Sequence, residues 1–176
     1  SPALAKANGQ GIAVTKDGSA LFVANGTTIQ KFDLSTGAQT AALTGVTGAA
    51  GFAVASDAIY WADKGTHTIK KADLALTTAS VVAGVSGTSG FKDDTTSASQ
   101  FNGPVAVALA LDVDGKATKV YVVDQTNYAL RRVDLAAGTV DTLIGGPTKR
   151  GAVAGTLETS GTASLSVYSI TGQKVR

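Results

Sequence analysis

AIYWADKGTHTIKKADL (residues 58–74) has two counterparts in the same chain, ALFVANGTTIQKFDL (20–34) and KVYVVDQTNYALRRVDL (119–135). All three contain an apolar triplet, an Asn or Asp, a polar turn, and a second stretch that closes on Asp-Leu. Recurrence of this kind marks a repeat architecture, in which each unit buries its apolar face against its neighbour. The pattern therefore determines the fold more firmly than it determines the function.

Each unit divides into four short strands. The first strands begin near Gly11, Gly51 and Pro104, and the remaining strands alternate apolar and polar residues between turns rich in Gly, Asn and Asp. No stretch keeps a helical period, so we expect an all-β fold. Four antiparallel strands joined by tight turns form a blade, and blades that stack radially form a β-propeller.

The whole chain, 1–176, is predicted to be a single propeller segment. Its blades are predicted at about 10–46, 50–85 and 103–146, and residues 147–176 are predicted to be a linker and the first strand of a further blade. That last strand is ASLSVYSITGQKVR, with Gly172 matching Gly18. The closing residues Asp33, Asp73 and Asp134 lie 40 and then 61 residues apart. The second interval is longer because of a loop at 84–104 that is rich in Gly, Ser and Thr and a longer first hairpin in the third unit.

Residues 60–74 and 120–135 resemble the NHL repeat, and the loop at 90–104 is similar to the segment between blades in that family. The YWAD tetrapeptide at 60–63 also looks like the related YWTD-type propeller repeat. The resemblance implies a six-bladed ring, which three units and the first strand of a fourth leave incomplete. Three ways of covering the open ends follow: further blades of a longer chain, a second copy, or pairing of the tail strand with a neighbour in an assembly or filament.

Two other features concern the ends of the chain. It begins at Ser1 and contains no Met, which we interpret as a processed or excised segment. The tail SVYSITGQKV is also similar to a strand-turn-strand piece of bacterial carboxy-terminal secretion-sorting domains.

Composition excludes several functional classes. The chain has no Cys, which rules out disulfides and zinc–thiolate sites. Its longest clean apolar run, at 105–111, is far shorter than the roughly 20 residues that a membrane helix needs. A net charge of +2 with few aromatic residues argues against a nucleic-acid groove, although some NHL propellers bind RNA through a basic face.

Six acidic or amide residues recur at matching positions. One set starts the polar turns, where a short acceptor can bond backbone N–H groups two or three residues on: Asn25, Asp63 and Asp124. The other set ends the third strands, and its recurrence indicates a structural task in each blade: Asp33, Asp73 and Asp134. Asn25-Gly26-Thr27 is also an N-glycosylation acceptor sequence, although an Asn-Gly hairpin turn explains it equally well.

No residue is predicted to be catalytic or to bind a metal or cofactor. Some NHL enzymes bind metal through histidines on several blades, but this chain has only His67, which we interpret as a turn residue. Asp93-Asp94 and Asp112-x-Asp114 superficially resemble calcium loops, yet no suitably spaced Glu follows them. Four aromatic residues are candidates for stacking on a glycan: Tyr60, Trp61, Tyr121 and Tyr128, of which Tyr60 and Tyr121 occupy positions typical of a core.

The sequence therefore predicts a non-catalytic NHL-like propeller, secreted or at the cell surface. It would act as a protein or glycan interaction module or as a structural unit of an assembly. Its expected partners are proteins, through self-association or the remaining blades of a larger chain, with a glycan as a further candidate and no membrane insertion. The alternative is part of an NHL-type lyase or lactonase-like enzyme, with its active-site residues on missing blades.

Overall fold

The computed structural model describes residues 11–147, which form twelve β-strands and contain no helix. The strands are β1 (Gly11–Val14), β2 (Ala20–Ala24), β3 (Gly26–Asp33), β4 (Gln39–Val54), β5 (Ala58–Asp63), β6 (Thr68–Asp73), β7 (Ala79–Ala83), β8 (Asp94–Thr95), β9 (Pro104–Leu111), β10 (Ala117–Asp124), β11 (Ala129–Asp134) and β12 (Thr139–Gly145). All pairings between them are antiparallel. The prediction of an all-β fold with an incomplete ring of propeller blades is confirmed. The predicted strand at 163–176 lies outside the described residues.

The strands form two sheets. Strands β1 to β7 lie side by side in chain order, and the second sheet has the order β8-β12-β11-β10-β9. We define blade 1 as β1–β3 with the first half of β4, blade 2 as the second half of β4 with β5–β7, and blade 3 as the second sheet.

Blades 1 and 2 share one strand, which the sequence did not indicate. Strand β4 is 16 residues long; its first half pairs with β3 and its second half pairs with β5. The junction contains Gly45 at φ 74° and Gly48 at φ 88°, a backbone region that glycine enters without steric cost. These glycines let the extended chain bend from the outer edge of one blade into the first strand of the next.

Blade 3 gains a short fifth strand from the long loop that precedes it. In this loop, Asp94 pairs with Val140 and Thr95 pairs with Thr139, so that β8 extends the sheet beyond β12. The four strands predicted for this unit are all present, and β8 is an addition to them. It covers the edge of β12, which would otherwise expose unpaired backbone groups.

The core lies between the blades. One buried cluster fills the space between blades 1 and 2 and includes Phe22, Ile29 and Trp61, while a second includes Tyr60 and Val122 between blades 2 and 3. Strand β5 is buried along its whole length because its alternate side chains enter different clusters.

The first strands of the three blades meet along one side of the stack. Strand β4 contacts both β1 and β9. At Gly51 the approach is so close that an added Cβ would lie 2.9 Å from Cα of Ala106. This meeting of first strands gives the blades the radial arrangement of a propeller.

Candidate functional site: the turn face

The turns between the second and third strands lie at one end of the blades. We call this end the turn face, formed by residues 63–68 of blade 2, residues 124–129 of blade 3 and the linker residues 100–103. Asn25 begins the equivalent, shorter turn of blade 1. The three turn residues predicted from the sequence therefore occupy matching places, although their bonding differs.

The Asp63 carboxylate is hydrogen-bonded to three neighbouring residues. It accepts hydrogen bonds from Lys70 Nζ at 2.8 Å, from Thr47 Oγ1 at 2.6 Å and from the Thr66 backbone N–H at 3.2 Å. Burial alone would raise the pKa of Asp63, but the hydrogen bonds from Lys70 and Thr47 outweigh it and hold the pKa below its ordinary value. Since Thr47 lies in the shared strand β4, Asp63 ties the turn to the junction between blades 1 and 2.

Asp124 has the same place in blade 3 and is likewise fully buried. Its carboxylate accepts hydrogen bonds from Arg131 Nη1 at 3.0 Å, Asn127 Nδ2 at 2.7 Å and the Asn102 backbone N–H at 2.8 Å. Burial is the largest influence here and raises the pKa of Asp124 against these opposing contacts. As at Asp63, one donor comes from the segment that enters the blade.

Arg131 fixes the long loop to blade 3. Its side chain is fully buried, and Nη2 donates to Asp93 Oδ1 and to the Lys92 carbonyl oxygen, both at 2.8 Å. The guanidinium carbon lies 4.9 Å from the ring centroids of both Phe91 and Phe101. A cation between two aromatic faces, paired with two carboxylates, organises this part of the molecule.

These ion pairs were not predicted from the sequence, although a signal for them was present. Asp63 and Lys70 are separated by the same interval as Asp124 and Arg131, and in blade 1 both positions are neutral, Asn25 and Gln30. Gln30 Nε2 donates instead to Gln39 Oε1 at 3.0 Å. The joint loss of acid and base in one repeat indicates that the two positions act together.

Asn25 organises its turn without an ion pair. Its Oδ1 accepts hydrogen bonds from the Thr28 backbone N–H at 2.9 Å, from Thr28 Oγ1 at 2.7 Å and from the Thr27 N–H at 3.3 Å. The residue is half-buried. Glycosylation at Asn25 stays a prediction.

The three aspartates that end the third strands lie away from the turn face. Each carboxylate accepts backbone N–H groups of the turn that follows, from Ser35 and Thr36 for Asp33, from Thr77 for Asp73, and from Ala136 and Ala137 for Asp134. Hydrogen bonds from these turns lower the pKa of Asp33 and Asp73, with side-chain donors Ser35 and Thr77 contributing most. A hydrogen bond from Lys119 is the main cause that lowers the pKa of Asp134 to about 2.

These lowered pKa values predict acid sensitivity. The pKa of Asp134 is about 2 in the folded chain and 3.8 for an unperturbed carboxyl, so the unfolded state takes up its proton first on acidification. The stabilisation is complete above about pH 4 and is lost as the pH falls towards about 2. We expect the melting temperature, followed by circular dichroism, to fall across this window, and to fall less in Asp134→Asn. An identical decline in both proteins would contradict this assignment.

The remaining candidates also have scaffold contacts. His67 lies at φ 59° and its Nδ1 accepts the Gly103 backbone N–H at 3.1 Å, which joins blade 2 to blade 3. Asp112 Oδ1 accepts the N–H groups of Asp114 and Lys116 in the β9–β10 hairpin. Within residues 11–147, no group of three or more His, Cys, Asp or Glu side chains is placed to hold a metal ion together.

The outer layer of the turn face is polar and contains one prominent aromatic side chain. Lys64 Nζ of blade 2 donates to Gln125 Oε1 of blade 3 at 3.3 Å. Tyr128 is 55% exposed, whereas Tyr60 and Trp61 are buried in the core. The backbone of Tyr128 is fixed at φ 53°, and its carbonyl oxygen accepts the Gly146 N–H at 3.2 Å.

Comparisons with known proteins show the fold but not a family. No protein-family model matches the chain, and no curated protein matches it. An auxiliary nutrient binding protein of Bacteroides thetaiotaomicron matches with a TM-score of 0.63 and 19% identity, over 77% of this chain and 35% of that chain. The protein of the same description from Bacteroides ovatus gives 0.61 and 19%, over 77% and 36% of the two chains.

Hydrazine synthase of Kuenenia stuttgartiensis is a third match, with a TM-score of 0.57 and 15% identity, over 76% of this chain and 35% of that chain. The chain spans about a third of the length of these solved structures. At such identities the likeness is one of fold, and it agrees with an all-β, propeller-like architecture. Among the described residues, no helix is long and apolar enough to cross a bilayer.

Proposed function

We propose that this chain is the NHL-type repeat part of a non-catalytic binding module, secreted or displayed at a cell surface, whose turn face takes a carbohydrate ligand. The observation that carries the proposal is that the buried and the outer side chains of that face differ in their contacts. Its carboxylates, Asp63 and Asp124, are engaged by the scaffold, while an aromatic ring, an amide and the ammonium group of Lys64 lie in its outer layer.

This arrangement suits the binding of a sugar better than the catalysis of a reaction. Carbohydrates offer apolar ring faces that stack on aromatic side chains, and hydroxyl groups that pair with neutral donors and acceptors. Tyr128 supplies the ring, and Gln125 of the same turn supplies an amide. A carboxylate held by a buried arginine, as Asp124 is, has little freedom to transfer a proton to a substrate.

The solved structures support this proposal at the level of analogy. Two of the similar proteins are described as nutrient binding, and both come from Bacteroides species. A role of that class would require exposure at the cell surface or secretion. The assignment of the repeats to the NHL type rests on residues 60–74 and 120–135 and belongs to the same proposal.

Replacement of Tyr128 by alanine tests the ligand site. In an oligosaccharide array, the chain is expected to retain at least one glycan, and Tyr128→Ala is expected to weaken its binding at least tenfold because the stacking surface is removed. The matched control is Leu34→Ala, another side chain that is exposed (46%) but lies outside the turn face.

Two results would overturn the proposal. One is glycan binding that Tyr128→Ala leaves unchanged. The other is turnover of a lactone or glycan by the purified chain, which would favour the enzyme alternative. The melting temperature of each variant, measured in parallel, separates loss of the ligand site from loss of the fold.

A further inference from the structure

We infer that the two outer flanks of the blade stack are complementary halves of one interface, through which blade 3 of one copy of this chain docks head-to-tail on blade 1 of a second copy. This inference goes beyond the proposed ligand site and is independent of it. It follows from a comparison of equivalent residues in the three repeats at the interface between blades 1 and 2 and at the interface between blades 2 and 3.

The front half of the interface is the face that each blade presents to the blade before it. On the second strands it consists of Ile59 and Trp61 in blade 2 and of Val120 and Val122 in blade 3. These side chains are buried against the preceding blade. The repeat places Leu21 and Val23 at the same positions in blade 1.

The first strand of blade 1 extends this front half. Ile12 pairs with Val23 and Val14 pairs with Leu21, so the four side chains share one face of the sheet. That face points away from blade 2, because Phe22 and Ala24 occupy the opposite face and enter the cluster between blades 1 and 2. Ile12 is 70% exposed, whereas its counterpart Phe52 is buried in blade 2. Val14 is 49% exposed, and on the second strand Leu21 is half-buried and Val23 is buried, so the open part of this face is its first strand.

The back half is the face that each blade presents to the next one. It holds an aromatic residue opposite a cation on the neighbouring strand, Phe22 with Lys31 in blade 1 and Tyr60 with Lys71 in blade 2. Blade 3 repeats this pattern with Tyr121 opposite Arg132.

An apolar pair lies beside each of these cations. Ala24 and Ile29, and likewise Ala62 and Ile69, are completely buried in the two interfaces within the chain. Blade 3 has Val123 opposite Leu130 at these positions, but Val123 is 45% exposed. The outer face of blade 3 is thus built like the two back halves that are covered, and within residues 11–147 no further blade packs on it.

Each interface within the chain consists of one front half and one back half. Strand β5 of blade 2 contacts β9 of blade 3, so a second strand meets the first strand of the following blade. If the stack continues in the same way, Val123 of one copy meets Ile12 of another. Such a contact is heterologous, and two copies of three blades would close it into a ring of six.

The mass of the chain in solution is the first test. The chain of residues 1–176 is expected to sediment at twice the 17.5 kDa of one copy at micromolar concentration. Ile12→Arg and Val123→Asp are each expected to raise the dissociation constant at least tenfold, because each buries a charge opposite an apolar side chain. Val113→Asp is the matched control, since Val113 is 98% exposed in the β9–β10 hairpin and belongs to neither flank.

Mixing the two flank variants tests the head-to-tail geometry. An equimolar mixture of Ile12→Arg and Val123→Asp is expected to regain the dimer mass, because the introduced arginine of one variant would face the introduced aspartate of the other while the second contact keeps its native residues. Association between identical flanks would not be rescued in this way. Far-UV circular dichroism checks that each variant is folded, and Val14→Arg replaces Ile12→Arg if the latter is not.

Three outcomes would overturn the inference. They are a single-copy mass for the unaltered chain up to about 100 μM, single variants that keep the dimer, and a mixture that stays dissociated. The first outcome would instead favour a flank covered by another part of the same polypeptide.

Discussion

Arg131→Ala is expected to destabilise the chain by about 3–5 kcal/mol, because it leaves the Asp124 carboxylate buried without its counter-ion. Both side chains of this pair are fully buried, and their atoms Nη1 and Oδ2 lie 3.0 Å apart. The substitution also removes the hydrogen bonds to Asp93 and to the Lys92 carbonyl oxygen that hold the long loop. Urea unfolding followed by circular dichroism at pH 7 measures the change in the free energy of unfolding.

Arg132→Ala is the natural control for this experiment. Arg132 is the next residue in the chain but lies on the opposite face, where its side chain is 37% exposed and pairs with Asp141. Solvent screens that pair, so its loss is expected to change the free energy of unfolding much less. Equal effects of the two alanine variants would contradict the role assigned to the buried pair.

A double variant separates loss of the ion pair from loss of one partner. Asp124→Asn with Arg131→Gln reproduces the neutral residues that blade 1 has at these positions, Asn25 and Gln30. Since it leaves no unpaired charge in the core, it is expected to be more stable than Arg131→Ala alone. A double variant no more stable than Arg131→Ala would show that the loop contacts, which both variants lose, dominate over the charge of Asp124.

Trp61→Ala is expected to cost about 3–5 kcal/mol through the cavity that it leaves between blades 1 and 2. Trp61 is 1% exposed and is the largest of the fully buried side chains. It packs in one cluster with Phe22 of blade 1 and Phe52 of its own blade. Thermal and urea unfolding must be followed by circular dichroism, because the substitution removes the only tryptophan of the chain.

Trp61→Val provides the comparison for that prediction. Valine is the residue that blades 1 and 3 have at this position, Val23 and Val122. It suits a strand and fills part of the space, so the loss is expected to lie between those of the native chain and Trp61→Ala. If Trp61→Ala costs less than about 1 kcal/mol, the interface between blades 1 and 2 is not the packed core described above.

The strands could be predicted because the sequence pattern that determines each strand lies within that strand and its turns. Alternation of apolar and polar residues, with Gly, Asn or Asp at the turns, is written into each repeat, and the observed strands β5 and β10 end at the expected Asp63 and Asp124. Repetition then indicated stacking, since each unit has two apolar faces. These two features of the sequence were enough for the all-β propeller-like architecture.

The rest depends on contacts between distant residues, which a local pattern does not contain. Arg131 meets Asp93 across the long loop, and β8 pairs with β12 although the two are far apart in the chain. The sequence likewise predicted two separate strands where the chain forms β4, because the bend at Gly45 and Gly48 looks like a turn in the sequence. The paired loss of charge at Asn25 and Gln30 indicated only the contact within each hairpin.

The two junctions between blades differ in how they would accommodate a change in length during evolution. An insertion or deletion at 45–51 would shift the register of β4 against β3 or β5, and a shift by one residue moves every side chain to the wrong face of the sheet. At 84–90 the chain is outside the named strands, and separate hydrogen bonds such as that from the Gly87 N–H to the Thr66 carbonyl oxygen hold it, rather than a strand register. Homologous repeats should therefore vary in length at the second junction and keep the first one constant.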